Sequence, residues 1–161
     1  MLGPLDPIVA QWASLFSNHA ALRTAVVFAH VGGLVGAGGC AIAADRATLL
    51  ATARHEAERR HQVEALAGTH RVVIFGLAFI MASGLLLFAA DVQTFLYSRI
   101  FWIKMTLILS LLVNGMALQS AERRASRDIA DAWGRLRATA VISLALWFLI
   151  AFAGVALTNA G

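Results

Sequence analysis

The sequence lacks most of what builds a soluble enzyme. It has one cysteine, two prolines, one tyrosine and nine acidic residues among 161. A single cysteine, Cys40, excludes an internal disulfide and a cysteine-built zinc site. It lies inside an apolar run and reads as a small packing residue. No hydrolase triad, phosphate loop, paired-carboxylate arrangement or HExxH motif occurs. The N-terminus has no basic n-region and no cleavage box, so a signal peptide is not expected. No internal repeat is visible. The formal charge is +4, yet no stretch interleaves aromatic and basic residues as an RNA-binding face does. No nucleic-acid partner is expected.

What is present is apolar sequence in long runs. Hydrophobic residues make up 60% of the chain, against roughly 45–50% in soluble domains. Residues 24–44, TAVVFAHVGGLVGAGGCAIAA, carry no acidic, lysine or arginine side chain. About 20 residues at a rise of 1.5 Å cross a hydrocarbon core of roughly 30 Å. Comparable runs occupy residues 71–90, 100–118 and 138–158. The expected fold is all-α: an integral membrane four-helix bundle of up-down-up-down topology, forming one domain. Ahead of it, Asp6 can cap a helix with Pro7 in its first turn. Ile8, Val9, Trp12, Leu15 and Phe16 recur at helical spacing. This predicts an interfacial helix over 7–18 with Trp12 at headgroup level.

Two loops carry most of the positive charge. Residues 45–70 hold Arg46, Arg54, Arg59 and Arg60, and residues 119–137 hold Arg123, Arg124, Arg127, Arg135 and Arg137. In the first loop Arg54–Glu58, Glu56–Arg60 and Arg60–Glu64 favour a helix, which Gly68 is expected to break. Asp45 and Arg46 read as an ion pair at the end of the first span. The positive-inside rule places both loops in the cytoplasm and both termini outside.

The sharpest single residue is His30. An ionisable side chain within a span is costly, faces the bundle interior and marks a functional site by default. Counted from residue 24, His30 lies about 9 Å deep on the outer side. An imidazole can ligate haem iron, and Gly33 on the same helix face lets a flat ring approach closely. The same residue also reads as a histidine bonded to a neighbouring helix, with Gly32 and Gly36 serving helix packing. His70 lies at the opposite mouth, about 21 Å away along the axis, so it cannot share an iron with His30. His55 and His61 sit on the charged loop and read as solvated. Level with His30 in an antiparallel bundle are Met81, Ser83, Gly84, Lys104 and Met105. Met81 or Met105 can supply a thioether or fill the core, and Gly84 opens room for a ring. Lys104 and Arg99 can neutralise propionates, or Lys104 can reach the headgroups. Asn114 reads as an interhelical hydrogen-bonding residue.

The order FAHVGGLVGAGG, AADRATLL, FGLAFIMASGLLLFAADVQTFLYS and FWIKMTLILSLLVN resembles bacterial four-helix membrane proteins with domains of unknown function. More distantly it is similar to the copper-resistance D-type membrane domain and to haem-b-containing four-helix protoporphyrinogen oxidases. The likeness covers roughly residues 22–158. In the oxidase-like group the first-span histidine ligates haem and the third-span lysine is functionally important. By motif match these are His30 and Lys104. The resemblance implies haem b and electron transfer with a quinone-type partner. The chain departs from the oxidases at Asp45-Arg46-Ala47-Thr48, where they have Pro-Arg and an aromatic-rich run, which argues against porphyrinogen oxidation itself. Two functions of different class follow. One is a small b-type haem membrane protein for electron transfer or oxidoreduction. The other is a cofactor-free accessory or assembly subunit that docks on partner subunits, or on its own copy, through its glycine-rich face.

Overall fold

A computed structural model describes residues 6–51, 56–125, 127 and 132–159; the side chains of Asp6, 56–67 and His70 lie outside the described set. Among the described residues there are six helices and no strand. They are α1 (Asp6–Asn18), α2 (Ala20–Ala51), α3 (Glu56–Ala90), α4 (Val92–Tyr97), α5 (Arg99–Ala125) and α6 (Ala132–Asn159). Four of them, α2, α3 from Arg71, α5 and α6, are long and apolar enough to cross a bilayer. The protein is a multi-pass helical bundle.

The helices run past the bounds that hydropathy gives. α2 continues through Asp45 and Arg46 to Ala51, and α5 continues to Ala125. α3 passes through Gly68 without a break. A glycine costs a helix only about 1 kcal/mol relative to alanine, too little to stop one that long helical neighbours support. The ion pairs expected at Arg54, Glu56, Glu58, Arg60 and Glu64, and the surroundings of His55, His61 and His70, fall outside the described side chains.

Close backbone packing joins α2 to α3, α2 to α6 and α5 to α6. The order across the bundle is therefore α3, α2, α6, α5. Ala37 and Ala41 of α2, Ile80 of α3, Leu111 of α5 and Trp147 and Ile150 of α6 form one core. α2 can hold the centre because its inner residues are small. A methyl group at Gly76 of α3 would collide with Ala37. One at Gly38 would stand 3.1 Å from the Trp147 ring. Small residues let helix backbones approach where lipid gives no hydrophobic drive toward association. A second core, Leu118, Ala121, Ala125, Ala132 and Leu136, closes the α5–α6 hairpin at the end that bears the basic loops.

Large apolar side chains cover the outside. Phe28, Phe75 and Phe152 are each more than 70% exposed, a surface suited to acyl chains and not to water. Several hydroxyls along the spans are satisfied within their own helices: Thr48 donates to the Ala44 carbonyl, Thr106 to Trp102 and Ser110 to Thr106. In hydrocarbon no water would do this for them.

The opposite end is tied by aromatics. Trp12 Nε1 donates to the Leu86 carbonyl at 2.8 Å, which lays α1 across the end of α3. The Asp91 carboxylate caps α4 by accepting from the Thr94 amide. Phe88, Phe95 and Phe101 cluster around α4, with Phe88 and Phe101 stacked at 5.4 Å. Trp102 Nε1 donates to the Leu96 carbonyl at 3.0 Å.

Candidate functional site

His30 emerges from α2 one helical turn before Gly33 and Leu34, on the side that meets α3. Its Nδ1 lies 3.2 Å from the Ile80 carbonyl and 3.1 Å from Ser83 Oγ. The Ser83 hydroxyl already donates to the carbonyls of Phe79 and Ile80. Its oxygen is thus left to accept, and a carbonyl can only accept. Nδ1 is therefore the donor, and in the neutral ring Nε2 carries the free lone pair. No described residue bonds Nε2. The ring edge faces Gly84, where an added methyl would come within 3.2 Å of Cε1. Glycine here is a matter of room for the imidazole.

Lys104 reaches the same layer from α5. Its Nζ would stand 3.7 Å from a methyl at Gly154 of α6. Lys104 and Gly154 are each about 7 Å in from the ends of their helices, so the ammonium stays level with its own backbone. It is half-buried, acts electrostatically on His30 and makes no hydrogen bond or ion pair among the described residues. His30, Ser83, Gly84, Lys104 and Gly154 thus form one layer near the α4 end, drawn from all four long helices.

The other expected members are placed differently. Gly33 is covered by α3: a methyl there would lie 2.9 Å from Ile80 Cγ1 and 3.1 Å from Phe79 Cδ1. Met81 is 43% exposed on the outer surface of α3. Met105 is half-buried, and Arg99 is exposed at the first turn of α5. The structure brings together His30, Gly84 and Lys104 and leaves Met81 and Arg99 on the periphery. Among the described residues no group of three His, Cys, Asp or Glu side chains could hold a metal ion.

A second polar cluster lies toward the basic end. Asp45 is 3% exposed, and Glu122, Ser143, Thr48 and Asn114 are buried with it. Ser143 of α6 is the polar neighbour of the Asp45 carboxyl. Glu122 interacts electrostatically with both Asp45 and Arg123. Asp45 Oδ2 has no hydrogen-bond partner among the described residues. Asn114 Nδ2 donates to the Thr139 carbonyl at 3.0 Å, the interhelical bond expected of it. The expectation of an Asp45–Arg46 pair at a helix end is corrected here. Successive residues of a helix point about 100° apart, and α2 runs on past both. Asp45 turns inward and Arg46 is exposed. The signal for this was in the chain, because Ala37, Ala41, Asp45 and Thr48 follow one buried stripe at helical spacing. Glu122 sits likewise on the stripe of Leu118, Ala121 and Ala125.

No family model matches the chain, and neither a curated protein nor a solved structure matches it.

Proposed function

We propose that the layer at His30 and Lys104 is a haem b site and that the protein is a small membrane electron-transfer component. The observation that carries this reading is the tautomer of His30. Two acceptors on α3 hold Nδ1–H, which fixes the ring plane and presents Nε2 as a ligand; metal-binding histidines are oriented this way. Lys104 brings a cation that no described residue neutralises, suited to a propionate or another carboxylate. Arg99 and Met105 are secondary candidates at the rim. Met81, turned outward, is not offered as a ligand. When bound, haem supplies one-electron chemistry. The chain's own part is to hold the imidazole, balance the acidic edge and seal the layer beneath the Phe88–Phe95–Phe101 cluster. With both basic loops in the cytoplasm of a bacterial cell, the site lies in the outer half of the inner membrane, where a quinone-type partner has access.

The test is the visible spectrum of the full-length protein, purified from haem-replete cells. The expected result is a Soret band that His30→Ala abolishes and Lys104→Met retains with a shifted reduction potential. A colourless wild type, also after addition of haem, overturns the reading.

A second reading is favoured by a separate observation. Gly32, Gly36 and Gly39 share an outer face of α2, and a methyl at any of them would meet nothing within 4 Å. Such a face suits a close helix crossing with another chain. On this reading the protein is a cofactor-free accessory subunit, and His30 is a clamp between α2 and α3. A colourless protein whose apparent size in mild detergent falls on Gly36→Leu supports it.

A further inference from the structure

We infer that the outer seam between α5 and α6 is a binding site for one anionic phospholipid, with its phosphate between Arg124 and Arg135 and an acyl chain lying along α5. Two grooves carry this. One, of about 310 Å³, is lined by Ala117, Ser120, Ala121, Arg124, Arg135, Ala138 and Thr139. The other, of about 390 Å³, is a shallow open strip on α5 alone, lined by Leu109, Ser110, Val113, Asn114 and Ala117. Ala117 belongs to both, so they form one furrow. Ser110, Val113, Ala117, Ser120 and Arg124 follow one another three or four residues apart and mark a single line along α5.

The furrow changes character along its length as a phospholipid does. From Leu109 to Ala117 it is mainly apolar and about 12 Å long, most of the roughly 15 Å depth of one leaflet's hydrocarbon. At its mouth the lining becomes hydroxyl and guanidinium. Arg124 and Arg135 come from different helices and are both exposed. Neither guanidinium makes a hydrogen bond or ion pair among the described residues. The Ser120 hydroxyl likewise has no bond there. The Thr139 hydroxyl is spent on the carbonyls of Arg135 and Leu136. Two guanidinium forks without a partner among the described residues, set over a furrow at the interface, suit a phosphodiester, and basic pockets between spans bind acidic headgroups. Small residues at Ala117, Ala121 and Ala138 keep the furrow open. Asp45 and Glu122 are buried inside the bundle and line neither groove. The inference does not depend on what His30 binds.

Native mass spectrometry of the full-length protein, titrated with phosphatidylglycerol or phosphatidylcholine, tests it. One phosphatidylglycerol is expected to bind in preference to phosphatidylcholine. Arg124→Gln with Arg135→Gln should weaken that binding roughly 30-fold, about fivefold for each charge near the surface. Ala117→Phe, which fills the furrow without touching the charge, should weaken it as well. The control pair Arg127→Gln with Arg137→Gln removes the same charge outside the furrow and should leave binding within twofold. Equal binding of both lipids, or equal loss in the control pair, overturns the site. Displacement of the lipid by inorganic phosphate would make it a free-anion site and overturn the lipid assignment.

Discussion

Trp12 and Leu86 are joined by a hydrogen bond of 2.8 Å from the indole nitrogen to the backbone carbonyl. The acceptor lies in the last turns of α3, where the ring nitrogen of an interfacial tryptophan and the rim of a span occupy the same depth. Trp12→Phe keeps the ring and deletes the donor. It should cost about 1 kcal/mol in stability and increase amide exchange across 7–18 more than elsewhere. Unchanged exchange in α1 would show that the bond does not hold the helix.

The small residues of the bundle divide into those under load and those that are free. Gly76 faces Ala37, whereas Gly32 and Gly36 face open space. Gly76→Val should destabilise the bundle by about 1–3 kcal/mol through overpacking. Gly32→Ala and Gly36→Ala should leave thermal stability unchanged or raise it by up to about 1 kcal/mol each through helix propensity. Melting of the three variants in one detergent measures the contrast, and similar losses in all three would contradict the assignment of faces.

His30 has two acceptors for one proton. Ser83→Ala removes one and leaves the Ile80 carbonyl at 3.2 Å. The nitrogen chemical shifts of His30 should still report a protonated Nδ1, and stability should fall by about 1 kcal/mol. A switch to the Nε2–H tautomer in this variant would mean that Ser83 alone sets the ring, and it should then also weaken any ligand on Nε2.

Asp45 and Glu122 interact across α2 and α5. A cycle built from Asp45→Asn, Glu122→Gln and the double variant should therefore show non-additivity of about 0.5–3 kcal/mol. Additive effects would place the two carboxyl groups in independent environments.

Much of this architecture is legible in the chain. The second span, 71–90, falls within α3 and ends with it at Ala90, because hydropathy alone decides where a helix is apolar. It does not decide where a helix ends, and α2 and α5 carry charge beyond their spans while remaining regular. His30, Gly84 and Lys104 were expected at one depth, which follows from counting residues along antiparallel helices. Rotation about each helix axis does not follow from counting, and this is why Met81 and Gly33 stand elsewhere: one is turned outward and the other is pressed against α3. Asp45 was legible in principle from the stripe through Ala37 and Ala41. Its partner Ser143 was not, since no local pattern links α2 to α6.

The approach of Ser143 to Asp45 bears on how the protein is made. Asp45 lies on α2, and the hydroxyl that faces it lies on α6, which is synthesised later. Until that helix inserts, a carboxyl within the nascent bundle lacks its serine, and the early hairpin carries a mark of incompleteness. Chains truncated before α6 should therefore be retained by the insertion machinery or cleared by membrane proteases, while chains that include α6 hide the mark once it inserts.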